Sequence, residues 1–220
     1  MTENEMLLKE IRELRAQLEA KQPEPKRPRR VESKGKATRA LTEAEYIEFI
    51  KTMKTGFTGA APNEGVAMAL SVEAATGIRI SDVLKLRPDS IVYYDDDWHF
   101  DIIEQKTGKP RKFVVQDYVA DKLRLYCAER GIKGQDLIFP FKVRNVQARV
   151  KNVADYLGLK NISTHSFRKF FATKIYTENG CDIALLQKIM QHSSAAVTQR
   201  YIGIDQKKIN AALSGHRVQM

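Results

Sequence analysis

NISTHSFRKFFATKIYTENGCDIALLQKIMQHSSAAVTQRYIGI, residues 161–204, decides the fold. Ser163 or Thr164 can cap a helix running to about Thr177, because a hydroxyl there accepts from an otherwise unpaired backbone N–H. Phe167, Phe170, Phe171 and Ile175 share one face, a core stripe rather than a base-stacking surface. His165 and Arg168 share another face at i, i+3. Asp182 caps a second helix that turns Ile183, Leu186 and Met190 inward, and Ser194 caps a third that reaches Tyr201. Side chains suited to gripping phosphate therefore gather in a helical context: His165, Arg168, His192 and Tyr201.

Moving outward toward the N-terminus, the period changes. IVYY, WHFDII and KFVV, within residues 91–115, are β-branched or aromatic runs separated by DDD and QKTGKPR. They predict a three-stranded antiparallel sheet with Lys106 at the tip or edge of its second hairpin. Helical spacing holds from Asp117 to Gly131 and from about Arg144 to Leu157. Before the sheet, Thr42 and Glu45 make a capping-box pattern for a helix to about Lys54. A second, apolar helix spans about Asn63 to Thr76 and stops at Gly77. Arg79 follows, and Ser81 or Asp82 can cap a short third helix closed by Pro88. A last helix is expected after Asp205, around Ile209 and Leu213. The fold class is mainly α with a small three-stranded antiparallel β-sheet.

Ahead of Leu41 the chain changes character. Leu7, Ile11, Leu14 and Leu18 predict a short amphipathic helix over 1–21, either docked on the body or pairing between protomers. Residues 22–40 are proline-broken and basic. Lys26, Arg27, Arg29, Arg30, Lys34, Lys36 and Arg39 stand against two acids, Glu24 and Glu32, in that run. This stretch is either a solvated tether or an arm along a phosphate backbone, and the rest of the chain favours the arm. PKRPRR also matches a nuclear-address pattern, a weak signal. The folded unit is expected over 41–213, with a tail over 214–220.

Composition narrows the class. Hydrophobic residues make up 43% of 220, enough for a real core. Thirty-seven Lys and Arg against 27 Asp and Glu leave a net charge of +10, which points to nucleic acid or another anionic surface. No run has the length of a membrane span. Cys127 and Cys181 form no CxxC pair, and neither a metal-ligand cluster nor a disulfide framework stands out. These features predict a cytoplasmic, nucleoid-associated protein.

TGIRISDVLKL, the lysine of QKTGKPRKF, THSFRKFFAT and QHSSAAVTQRYIGI, in that order, resemble the catalytic domain of tyrosine recombinases, the phage-integrase and Xer-like enzymes. The resemblance covers roughly residues 41–213. It implies that Arg79, Arg168 and His192 bind the non-bridging oxygens of a scissile phosphate. Tyr201 is then the nucleophile, His165 accepts or relays its proton, and Lys106 protonates the departing 5′ hydroxyl, with Lys109 as the alternative acid. Asp82 would orient its neighbours. Lys109, Arg111 and Lys169 are candidate DNA contacts beside the basic arm. The residue types make sense independently. A phosphodiester in transition gains negative charge, fixed cations aimed at that charge supply most of the catalysis, and guanidinium groups bind phosphate with two parallel hydrogen bonds.

The resemblance also implies double-stranded DNA as partner, a homo-oligomer that is tetrameric in its synapse, accessory proteins, no cofactor and no metal. Two features depart from the family. A helix and a basic stretch stand where members carry an N-terminal DNA-binding domain, and Gln191 replaces the glycine before the second histidine. Two rivals are a type IB topoisomerase-like relaxing enzyme and a non-catalytic DNA-binding regulator on the same fold.

Overall fold

The computed structural model describes residues 38–106 and 108–202. The expected N-terminal helix, the arm up to residue 37, the last helix and the tail lie outside the described residues. α1 (Glu43–Thr55) starts at the capping box: Glu45 N donates to Thr42 Oγ1 at 3.3 Å and Thr42 N to Glu45 Oε2 at 2.8 Å. α2 (Glu64–Thr76) starts at Asn63, whose Oδ1 accepts from Val66 N, and stops at Gly77, which is left-handed at φ +66°. Most of α2 is buried because it runs between α1 and α6 (Thr164–Glu178).

α3 (Ile80–Val83) is a single turn, and its start corrects one expectation. Neither Ser81 nor Asp82 caps it; Arg79 occupies the cap position without a side-chain bond. The free N–H of Ile80 instead donates to Glu73 Oε1 at 3.1 Å, from the buried side chain of α2. A buried backbone donor needs a partner, and the nearest acceptor comes from beneath.

A 3₁₀ turn at Pro88–Ser90 leads into β1 (Ile91–Tyr94), β2 (Asp97–Ile103) and β3 (Pro110–Val115), antiparallel in that order. Asp95 and Asp96, at φ 55° and 61°, form the two-residue turn whose twist suits a hairpin. Phe100 sits opposite Ile91 on one side and Phe113 on the other, and Ile102 opposite Arg111. The inner row of the sheet thus meets the helices. α4 (Asp117–Arg130), α5 (Val143–Tyr156), α6, α7 (Ile183–Met190) and α8 (Ala195–Ile202) complete the order. Ser163 caps α6 in a box with Ser166, and Asp182 Oδ1 accepts from Ala184 N and Leu185 N at the start of α7.

The main core joins α1, α2, α4, α5, the sheet and Phe167. A smaller cluster, Phe171, Ala172, Leu186 and Met190, with Tyr201 and Ile202 against it, holds α7 and α8 to the C-terminal half of α6. Among the described residues no helix is long and apolar enough to cross a membrane.

The body begins before Leu41. Arg39 N donates to Asn161 O at 3.1 Å, and Lys169 Nζ donates to Thr38 O at 2.6 Å. Arg39, expected on the DNA-contacting arm, grips Glu45 through both terminal nitrogens at 2.7 and 2.6 Å. That paired guanidinium, with its hydrogen bond to each oxygen, holds the Glu45 carboxyl down at about 2.

Candidate active site

Gly77 opens the site. Its left-handed turn swings the chain from α2 into the extended residues before α3, so Arg79 projects from a short, tightly tied loop. Arg79 Nη1 lies 3.4 Å from Glu104 Oε2 and 3.9 Å from Asp82 Oδ2, and its side chain keeps 21% of its exposure. One edge of the guanidinium is therefore oriented by carboxylates, while the side chain keeps part of its exposure.

Arg168 comes from the first half of α6 and is only 3% exposed. One Nη donates to Gly77 O and the other to Met190 O at 3.1 Å. It thereby bolts the Arg79 loop to the end of α7. Burial lowers its pKa first, and the neighbouring Arg79 and Arg111 lower it further.

His192 follows α7, and its Nδ1 lies 3.0 Å from Oγ1 of Thr198, a fully buried side chain. For Nε2–H to donate to a phosphate, Nδ1 must accept from the Thr198 hydroxyl. Burial, then Arg168 and Arg79, lower the His192 pKa. His165 is exposed at the rim. Crowding of its inner side by protein comes first in lowering its pKa, followed by Arg168, Arg79, Lys169 and Lys106. Both imidazoles are held toward the neutral form. A neutral His165 can accept a proton.

Tyr201, on α8, stands with its ring 5.0 Å from that of His192. Its hydroxyl is buried without a partner among the described residues. It lies beside Arg168, but not in hydrogen-bonding geometry. Burial pushes the phenol up to about 12, with Arg168 opposing. At neutral pH only about 1 in 10⁵ phenols would be ionised, so the proton must leave during any attack rather than before it. Lys169 Nζ lies 5.4 Å from the ring centre.

Lys106 is exposed on the loop between β2 and β3. That loop is closed by Glu104 N to Lys109 O (3.0 Å) and Gly108 N to Glu104 O (2.8 Å). Asp82 pins it to α3 by accepting from Gln105 N at 2.8 Å. The fold thus draws Arg79, His165, Arg168, His192 and Tyr201 into one electrostatic neighbourhood with Lys106 at its edge. Lys109 is exposed on the same loop. Arg111, expected on the DNA surface, instead points inward and is 8% exposed. It shares strand parity with Phe113 and Val115, so the pleat turns it toward the core, where Glu104 receives it at 3.1 Å.

Three residues near the site escaped the sequence reading: Thr198, Glu104 and Glu73. Glu73 is fully buried, and its Oε2 has no partner among the described residues. A carboxyl inside an apolar helix was a visible anomaly. Burial raises its pKa well above the ordinary range despite the opposing Arg168, and so favours the protonated form. A group whose folded pKa is raised stabilises fully below its unfolded pKa of about 4.3 and loses that stability as pH rises through the folded value. Glu73→Gln should therefore match the wild type near pH 4 and become the more stable form by pH 8. Each unit of displacement is worth about 1.4 kcal/mol, or about 3–6 °C in Tm at this chain length. Thermal unfolding of both proteins across that range checks it; parallel curves would mean that Glu73 is ionised.

Residues 39–208 match the model of the phage integrase family. A Bacillus subtilis (strain 168) protein named "Probable integrase/recombinase YoeC" is 33% identical over 62% of this chain and 76% of its own length. The tyrosine recombinase XerC of Xylella fastidiosa (strain M23) is 29% identical over 60% of this chain and 46% of its own. The chain thus spans about half of that relative. Among solved structures, the XerH site-specific recombinase bound to its palindromic difH substrate superposes with a TM-score of 0.63 at 19% identity. That likeness covers 83% of this chain and 54% of the XerH chain.

Proposed function

Because the chain belongs to the phage integrase family, whose relatives here are named tyrosine recombinases, we propose that it cuts and rejoins DNA at a specific site through a covalent 3′-phosphotyrosyl intermediate. The observation that carries this reading is the convergence of the Tyr201 hydroxyl with Arg168, Arg79 and His192. These side chains come from α3's leading loop, α6, the turn after α7, and α8.

In this reading the Tyr201 oxygen attacks the scissile phosphorus as its proton passes to His165. The bond to the 5′ oxygen breaks, and Lys106 protonates that leaving group. Arg79, Arg168 and His192 stabilise the charge that builds on the non-bridging oxygens. The phosphotyrosyl bond keeps the energy of the bond it replaced. A 5′ hydroxyl from a second strand then attacks it, Tyr201 leaves, and the strands are rejoined without a nucleotide cofactor. Four protomers on two sites, exchanging strands through a Holliday junction, would complete a recombination. Residues 205–220, outside the described residues, are the candidate contact with a neighbouring protomer.

The test is trapping. Nicked duplexes with randomised sites lose a short fragment on cleavage and so hold the adduct. The protein is added in EDTA, conjugates are isolated and sequenced, and the modified residue is mapped. Conjugates on Tyr201 support the reading. Rejoining between two DNA molecules, rather than relaxation of one, separates a recombinase from a topoisomerase. One observation favours the regulator: the Tyr201 hydroxyl has no exposed surface here. DNA binding without any conjugate would select it.

The basic arm should contribute affinity without sequence preference. Thr38 sits on Lys169, next to the Tyr201 ring, so the arm joins the body beside the site. Replacing Lys26, Arg27, Arg29, Arg30, Lys34 and Lys36 by Gln should flatten the dependence of log K on log salt. The slope should change by about 0.9 for each phosphate that is no longer neutralised, up to about 5 in all. An unchanged slope in a filter-binding titration would make the stretch a tether.

A further inference from the structure

Glu104, Arg111 and Gln191 form a linked group beneath the site that the chemistry above does not use. Glu104 ends the inward row Phe100, Ile102 on β2 and is buried, 3% exposed. Its Oε2 meets Arg79 Nη1 at 3.4 Å and its Oε1 meets Arg111 Nη1 at 3.1 Å. Arg111 Nη2 donates to Ile189 O at 2.8 Å. With the Gln191 amide turned so that both its ends are satisfied, its nitrogen donates to Glu104 Oε1 at 3.3 Å and its oxygen accepts from Arg111 Nε at 3.2 Å. The Arg111 guanidinium also lies 4.6 Å from the centre of the Phe113 ring.

The arrangement solves two problems at once. A buried carboxylate facing Arg79 alone would form a closed ion pair and cancel the charge that a phosphate needs. Arg111 shares that carboxylate at the shorter distance, so less of the Glu104 charge is spent on Arg79, which has Asp82 3.9 Å away as its other carboxylate neighbour. The same side chain is also a mechanical tie. Glu104 begins the loop that carries Lys106, whereas Ile189 and Gln191 end the helix before His192. Gln191 is the position where the family has glycine. Its backbone is left-handed, at φ +53°, the conformation glycine suits. Gln191 adds to that turn an amide that reaches the ion pair.

We propose that Arg111 is a positioning residue for cleavage: with Glu104 and Gln191 it balances the charge beside Arg79 and locks the Lys106 loop to the His192 turn, without touching DNA. This rests on the recombinase reading. The test compares wild type, Arg111→Met and the double variant Arg111→Met/Glu104→Gln as full chains, with Arg111→Lys as a gentler change should the methionine variant unfold. Single-turnover conjugate formation on the nicked duplex and affinity for an intact duplex at several salt concentrations are measured. Arg111→Met should lose about 100-fold in rate, with affinity and salt slope unchanged. The double variant should recover at least about 10-fold, because the unbalanced carboxylate has gone. Arg111→Lys should fall between wild type and methionine, since an ammonium can balance the charge but cannot make the three-way tie.

A drop in affinity with a salt slope reduced by about 1 would make Arg111 a phosphate contact and overturn the proposal. So would a double variant no faster than the single one, or Arg111→Met at the wild-type rate. A wild type that forms no conjugate overturns the recombinase reading itself, an outcome distinct from an active wild type whose Arg111 variants are equally active.

Discussion

Tyr201→Phe is expected to form no covalent conjugate on any nicked duplex, to lose no DNA affinity, and to unfold no earlier than the wild type. The three parts of this expectation come from one oxygen atom. In the proposed reaction it is the nucleophile, and a phenyl ring offers no substitute, so the expected loss exceeds about 10⁴-fold, the scale seen when a nucleophile is removed from a cooperative site. Structurally the hydroxyl is buried with no partner among the described residues, so its removal breaks no hydrogen bond to them. Deleting a buried polar group that has no partner is neutral or stabilising. The phenyl ring keeps its place against His192 and the packing on Leu186 and Met190. Conjugate trapping, a binding titration and a melting curve check all three. A residual conjugate would place the nucleophile on another residue. A lower Tm would mean that the hydroxyl has a partner.

Arg168→Ala carries the second large effect, on both activity and stability. The guanidinium satisfies the carbonyls of Gly77 and Met190 and lies beside Tyr201. Alanine leaves both carbonyls unpaired in a buried place, at about 1–3 kcal/mol each, and Tm falls accordingly. Cleavage falls by about 10²–10³-fold, the cost of one donor aimed at developing charge. The variant also loses the influence that most opposes the burial of the Tyr201 phenol, so that phenol becomes a weaker acid still. Arg168→Lys should not restore the rate. A single ammonium cannot span two carbonyls on different elements and present further donors to a phosphate. Single-turnover kinetics beside thermal unfolding check both parts, and a fast lysine variant would show that charge alone suffices.

The legible parts of the sequence were those governed by local rules. The Thr42–Glu45 box, the helix start near Asn63, the Gly77 stop, the Asp182 cap and the hairpin at Asp95–Asp96 each depend on residues within a few positions. The candidate site residues stood out as types in an order, and their meeting depended on tertiary packing. The illegible parts involve partners far away along the chain. Arg111 reads as one more cation in a charged hairpin, and only its parity with Phe113 and Val115 hints that it turns inward. Its partners Glu104 and Ile189 lie at the end of another strand and on α7. Arg39 reads as the end of a basic arm until Glu45 is seen to hold it. Glu73 was visible as an odd residue in an apolar helix, but its bond to Ile80 N crosses from α2 to α3.

Gly77 carries a consequence for how this chain can change. A methyl group there would lie 2.2 Å from Cδ1 of Phe171, at a backbone angle that side-chain-bearing residues rarely adopt. Its carbonyl is also held by Arg168. Any single substitution at position 77 therefore strikes a ring, strains a turn and disturbs an arginine anchor together. Shrinking Phe171 first opens a hole in the small cluster under α8, and making both changes together leaves the backbone strain in place. In a mutational library selected for function, position 77 should stand as an isolated point with no one-step neighbours. Exposed positions such as 133, on a surface turn, should drift freely.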